Sequence, residues 1–158
     1  MRRPQIMPIS KKCRNLWREI FIEPRKQKAR RYEDIDPKIE PLVSQLNTVT
    51  TIKTVASCQG HAFGRPEPPY VYFEAKQETV GVFIQAIRKA RQRGKLHHPW
   101  EIIGQYNHEI QLVWSLSSTY YDQYYLKSNI IDLAWHRDRI DDDIQTLTHI
   151  TRQLQNIV

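Results

Sequence analysis

Apolar positions along this chain recur with two different periods, and the switches between them mark its elements. Leu16, Trp17, Ile20 and Phe21 fall at helical spacing behind Ser10, a good N-cap, and Pro24 is expected to end that helix. Residues 25–34 are densely charged and read as a linker. Ile39, Leu42, Val43 and Leu46 then step by three and four, predicting a second helix with Asp36 as N-cap, Pro37 at its first position and Asn47 at its end. The β-branched run Thr50 to Ala56 predicts a strand, and Tyr70 to Ala75 a second. Between them residues 57–69 hold two glycines and three prolines and read as a loop. Val80, Phe83, Ile84, Ile87 and Ala90 predict a helix capped by Thr79 and stopped at Gly94. Trp100 to Tyr106 and Ile110 to Ser117 predict an antiparallel hairpin turning at Asn107-His108. Past a stretch containing Tyr120, Tyr121, Tyr124 and Tyr125, the positions Leu133, Ile140, Ile144, Leu147, Ile150, Thr151, Leu154 and Val158 predict one long amphipathic helix. Its near-heptad stripe fits either the core or a second copy of the chain.

The expected fold is therefore α+β: a single domain over 35–158, with a mostly antiparallel four-stranded sheet, helices on one face and a long C-terminal helix. Residues 1–34 are expected to form a basic N-terminal arm with a short helix. Composition agrees with a packed domain, at 40% hydrophobic and 26% charged residues. Apolar runs are too short to span a membrane. Two cysteines, Cys13 and Cys58, make no disulfide scaffold, and the basic start lacks the apolar segment of a secretory signal. The expectation is a cytoplasmic protein with reduced thiols.

Charge alters this picture more than composition does. Residues 1–31 hold eleven Lys and Arg against Glu19 and Glu23, a net +9 in a chain whose total is +7. Concentrated positive charge draws polyanions by counterion release, so Arg14, Arg18, Arg25, Lys26, Lys28, Arg30 and Arg31 are candidate nucleic-acid contacts. A second cluster, Arg88, Lys89, Arg91, Arg93 and Lys95, crowds the end of a predicted helix, where it suits either the helix dipole or a phosphate. Tyr70 and Tyr72 share one strand face and can stack bases beside Arg65 if that face is open. The acidic run Asp141-Asp142-Asp143 lacks calcium-loop spacing and reads as a solvated face.

The most chemically loaded segment is Ser57-Cys58-Gln59-Gly60-His61, expected to be a ligand loop. A histidine near Cys58 can lower a thiol's pKa and make a nucleophile. Cys58-x-x-His61 is also half a zinc site, but His97, His98, His108 and Cys13 do not repeat the paired spacing, so no metal site is expected.

The run from Asp36 to Asn47, followed through a β-rich stretch by Thr54-Val55-Ala56-Ser57-Cys58-Gln59-Gly60-His61, resembles the tRNA wybutosine-synthesising protein 3 family over roughly residues 25–75. There a basic lead-in and an acid-capped helix ending in Leu-Asn run into a strand and a Ser-Ser-Cys-Ser-Gly-Arg loop. The resemblance implies an S-adenosylmethionine-dependent methyltransferase acting on a tRNA base, with Ser57, Cys58 and Gly60 in its ligand loop. Three functional expectations follow. The first is a small RNA-binding or otherwise nucleic-acid-associated protein. The second is that tRNA-modifying enzyme, with S-adenosylmethionine as cofactor. The third is a non-enzymatic inhibitor or adaptor, of the kind a mobile element carries, that binds a host protein or nucleoprotein complex.

Overall fold

A computed structural model describes residues 10–31, 34–121 and 126–155. In chain order its elements are α1 (Lys11–Phe21), α2 (Glu23–Ala29), α3 (Glu40–Asn47), β1 (Ile52–His61), β2 (Glu67–Ala75), α4 (Gln77–Gln92), β3 (Trp100–Tyr106), β4 (Leu112–Ser118), a 3-10 turn (Thr119–Tyr121), α5 (Leu126–Trp135) and α6 (Arg137–Leu154). Pro4, Pro8, Tyr124, Tyr125 and Val158 lie outside the described residues. The four strands form one antiparallel sheet in the order β1-β2-β4-β3, so the expected α+β architecture holds. No helix among the described residues is long and apolar enough to cross a membrane.

Strand register sorts the side chains into two faces. The row Thr54–Phe73–Trp114–Gly104 and the row Ser57–Val71–Leu116–Ile102 point toward the helices. Phe73 and Val71 are fully buried there, with the Phe73 ring 6.4 Å from that of Phe83 on α4. Such burial contributes about 1.5–3 kcal/mol per large side chain. α3, α4 and α6 complete this core through Leu42, Leu46, Phe83, Ile140, Ile144 and Leu147. Gly104 has no Cβ to collide with the Trp114 indole, where one would lie 3.0 Å from Cζ3. The row Ala56–Tyr72–Ser115–Ile103 occupies the opposite face, with Ile103 exposed.

Several boundaries depart from expectation. α1 ends at Phe21, ahead of Pro24 as expected, but Pro24 then lies in the first turn of a further helix, α2, where no N–H is needed from it. The linker expected at 25–34 is thus helical to Ala29. α3 begins at Glu40 rather than at Pro37, and Asp36 does not cap it with its side chain, which is engaged elsewhere. Thr79 likewise does not cap α4 but lies buried, sharing a 2.8 Å hydrogen bond with Thr51. Gly94 ends α4 as expected: at φ 67°, it lets Lys95 N–H reach Ala90 O and its own N–H reach Arg91 O. The hairpin connection is longer than two residues, with Asn107 Oδ1 accepting from Glu109 N and Gln111 N.

Two corrections concern whole elements. The loop expected from residue 57 is strand as far as His61, and β2 begins at Glu67 despite Pro68 and Pro69. Pairing of β2 with β4 starts only at Tyr70, so the prolines face no second strand that would need their N–H groups. The single C-terminal helix is two, parted at His136, since α5 packs on α1 whereas α6 packs on α3 and α4. The stripe Leu133, Ile140, Ile144, Leu147, Ile150, Thr151 and Leu154 is buried in this chain's own core. It is therefore not available to pair with a second copy.

Candidate functional site

From Ser10 to Arg31 the basic segment lies against the body rather than standing off it as an arm. Leu16 packs on the core, Asn15 Nδ2 donates to Asp138 Oδ1 at 3.2 Å, and Lys11 pairs with Asp138 at 3.1 Å. Glu19 and Glu23, the only acids of residues 1–31, are both buried. Glu19 meets Arg137, and Glu23 meets Lys26 and Arg18. Burial raises the Glu19 carboxyl pKa, and the nearby cations Arg137 and Lys38 only partly offset that.

Turning both acids inward leaves a cationic outer surface. Arg14, Trp17, Arg18 and Phe21 fall on one outward stripe of α1, with Trp17 55% and Phe21 51% exposed and their rings 6.1 Å apart. Arg25, Lys26 and Lys28 are exposed on α2. Arg65 joins them, because its N–H donates to Gln27 Oε1 at 3.0 Å while its carbonyl accepts from Gln27 Nε2 at 3.2 Å. Gly64, at φ 87°, permits that contact: a Cβ would lie 2.8 Å from Gln27 Oε1. Arg14, Arg25, Lys28 and Arg31 make no ion pair among the described residues. Arg30 is different. Its guanidinium is bonded to Asp36, so it belongs to the interior network and not to the cationic surface. Tyr70 and Tyr72 share a face as expected, rings 4.6 Å apart and half-buried.

The segment Ser57 to His61 has a character opposite to that of a loop. Cys58, Gln59, Gly60 and His61 are all buried, and only Ser57 is partly exposed. Asp36 organises them: its Oδ2 accepts from Gln59 N at 3.2 Å and lies 3.0 Å from His61 Nε2. Gln59 Oε1 in turn accepts from Lys38 N at 3.0 Å. Burial alone would raise the Asp36 carboxyl, but the hydrogen bond and charge of His61, Gln59 N–H and Arg30 hold it below its usual value. Gly60, at φ 86°, presses against Pro69, and its carbonyl accepts from Arg137 Nη1 at 2.7 Å. Burial, and then the charge of nearby Glu67, push the Cys58 thiol up, so it is protonated and not the activated nucleophile that a neighbouring histidine suggested.

Arg137 ties this strand end to the helices. It reaches Asp141 at 2.8 Å, and Lys38 Nζ donates to the other oxygen of Asp141 at 2.7 Å. Beside it opens a cavity of ≈ 250 Å³ lined by Lys11, Arg18, Glu19, Lys38, Arg137 and Asp138 among others. The acidic run is not uniformly solvated either. Asp142 is exposed, but Asp143 is fully buried and accepts from His97 N, His98 N, His98 Nδ1 and Trp100 Nε1.

Asp36 and Arg137 escaped the sequence reading, the first because an Asp-Pro pair signals a cap and the second because an Arg within an acidic helix signals solvent. One sequence signal was available for Trp17 and Phe21, since they repeat with Arg14 and Arg18 on one helical face. Comparison with protein-family models, with curated proteins and with solved structures finds no match to this chain.

Proposed function

We propose that this protein binds single-stranded RNA, or an unpaired loop of a structured one, through the outer surface of α1 and α2. The observation that carries the reading is the outward stripe Arg14–Trp17–Arg18–Phe21 with both neighbouring glutamates turned inward. Cations there meet phosphates, while exposed aromatic rings stack on bases that are not already stacked in a duplex. Arg25 and Lys28, exposed on α2, extend the positive surface, and Arg65 is held to the same helix through Gln27. Methyl transfer draws less support, because the segment expected to hold S-adenosylmethionine is a buried strand end.

Fluorescence anisotropy with a labelled single-stranded RNA over a salt series tests this. Affinity should fall steeply with salt, and Arg14→Ala should flatten the log–log slope by about 0.7. Trp17→Ala should cost about 1–3 kcal/mol of binding with the salt slope unchanged. Wild-type protein that shows no salt-dependent RNA binding would sink the proposal. A stable protein partner captured by the same stripe would then favour the adaptor reading.

A further inference from the structure

The two edges of the sheet are finished differently. At β1 the outer edge is closed by side chains: Asn47 Oδ1 accepts from Thr54 N at 2.9 Å, and Asp36 Oδ2 accepts from Gln59 N at 3.2 Å. A bulge between Thr54 and Ala56 interrupts the strand as well. β3, at the other edge, has none of these devices. It pairs with β4 without a register shift from Trp100 to Tyr106 and contains neither Pro nor Lys. Among the described residues no hydrogen bond reaches its outer N–H and C=O groups. Such an edge is a template for another strand. A groove runs beside it, a cavity of ≈ 190 Å³ lined by Ile84, Ile87, Arg88 and Arg91 of α4 and by Trp100, Glu101 and Ile102 of β3. By register Trp100 and Ile102 face the helices and Glu101 the opposite side, so a cavity touching all three lies along the strand's edge.

We propose that β3 and this groove take an extended acidic peptide of a partner protein as an added strand. The peptide backbone pairs with the outer edge of β3, which supplies affinity without regard to sequence. On its helix side an apolar side chain enters the groove, where Ile87 and Trp100 are buried and Ile84 and Ile102 half-buried. Charge selects the rest of the peptide. Ile84, Ile87, Arg88 and Arg91 share one face of α4, so the two guanidinium groups border the apolar groove. Arg88, Lys89, Arg91, Arg93 and Lys95 are all exposed, and none forms an ion pair among the described residues. Carboxylates flanking the apolar residue meet them. A second copy of the chain pairing edge to edge would bring two such cationic rims together, and a nucleic acid has no backbone to match a strand edge. This surface uses no residue of the RNA-binding stripe, so either reading can fail alone.

The test is fluorescence anisotropy of the full-length protein with a labelled Glu-Thr-Glu-Thr-Val-Thr-Glu-Thr-Glu peptide, whose alternation puts the valine and the glutamates on one face. Binding should saturate and should be unchanged in Arg14→Ala. The double variant Arg88→Glu, Arg91→Glu alters only exposed side chains, so it keeps its fold, and it should weaken binding about tenfold. Two further peptides carry N-methyl groups at the odd or at the even positions. A strand offers alternate N–H groups to each side, so at least one of the two should lose binding. The proposal is overturned if the parent peptide does not bind up to about 1 mM, if the double variant binds it equally well, or if neither methylated peptide is impaired. A dimer by sedimentation that excludes the peptide would assign the edge to a second copy instead, and RNA binding that only the double variant loses would assign the cations to phosphates.

Discussion

Asp143→Asn removes the charge from a carboxylate that anchors α6 to the segment leading into β3. Oδ1 accepts from His97 N at 2.7 Å, and Oδ2 accepts from His98 N at 3.0 Å, His98 Nδ1 at 2.8 Å and Trp100 Nε1 at 3.0 Å. Both oxygens face only donors. An asparagine keeps one acceptor and turns an NH₂ toward a donor, so at least one backbone N–H and the new amide are left facing each other unpaired. With each unsatisfied buried group costing about 1–3 kcal/mol, and with charge-assisted bonds lost besides, the change should destabilise by roughly 3–5 kcal/mol. That is a large share of the 5–15 kcal/mol typical of a domain. Urea unfolding followed by far-UV circular dichroism measures it. At a slope of about 2 kcal/mol/M the midpoint should fall by roughly 2 M. Asp142→Asn, one residue away and exposed, should stay within about 0.5 kcal/mol. A shift below about 1 kcal/mol for Asp143→Asn, or equal shifts for the two variants, would refute the account of Asp143 as the acceptor that holds α6 in place.

Two further outcomes follow from the same geometry. Gly60→Ala should lower the melting temperature by about 2–8 °C, because a side chain at φ 86° is strained by about 1–2 kcal/mol and the new Cβ would sit 3.0 Å from Pro69 Cδ; an unchanged melt would show that the strand end relaxes freely. Acid should also weaken the fold in a defined window. Burial raises the carboxyls of Asp36 and Asp143, yet their hydrogen-bond donors prevail and hold both below the ordinary 3.8. A carboxyl lowered in the folded state contributes stability that is fully present above the unfolded value and lost as pH falls through the folded one. The urea midpoint contributed by these groups should hold from pH 7 to pH 5 and drop below pH 4, with a shallower drop in Asp143→Asn. Identical acid slopes in the two proteins would contradict this.

What the sequence by itself determined is whatever depends on near neighbours. The stripe Ile39–Leu42–Val43–Leu46, the Gly94 stop, the alternation around Phe73 and the hairpin from Trp100 to Ser118 are local patterns, and each forms the expected element. The outward stripe of α1 was equally open to reading, since residues 14, 17, 18 and 21 share a helix face whatever lies behind it. The tertiary structure decided where isolated polar residues are satisfied, a question of partners far along the chain. Asp36 looks like a helix cap until Gln59 and His61 arrive from β1 to use its carboxylate. Asp143 resembles Asp142 until helical rotation turns it toward His97, His98 and Trp100. Glu19 and Glu23 look like counter-charges within a basic tail until packing takes them inside. Pro68 and Pro69 look like loop residues until strand order shows that they precede the pairing with β4, so no strand on that side needs their missing N–H. In each case the reason is the same. A buried polar group must find a partner, and the partner is set by the topology of the sheet and the packing of the helices, which near neighbours in the sequence do not encode.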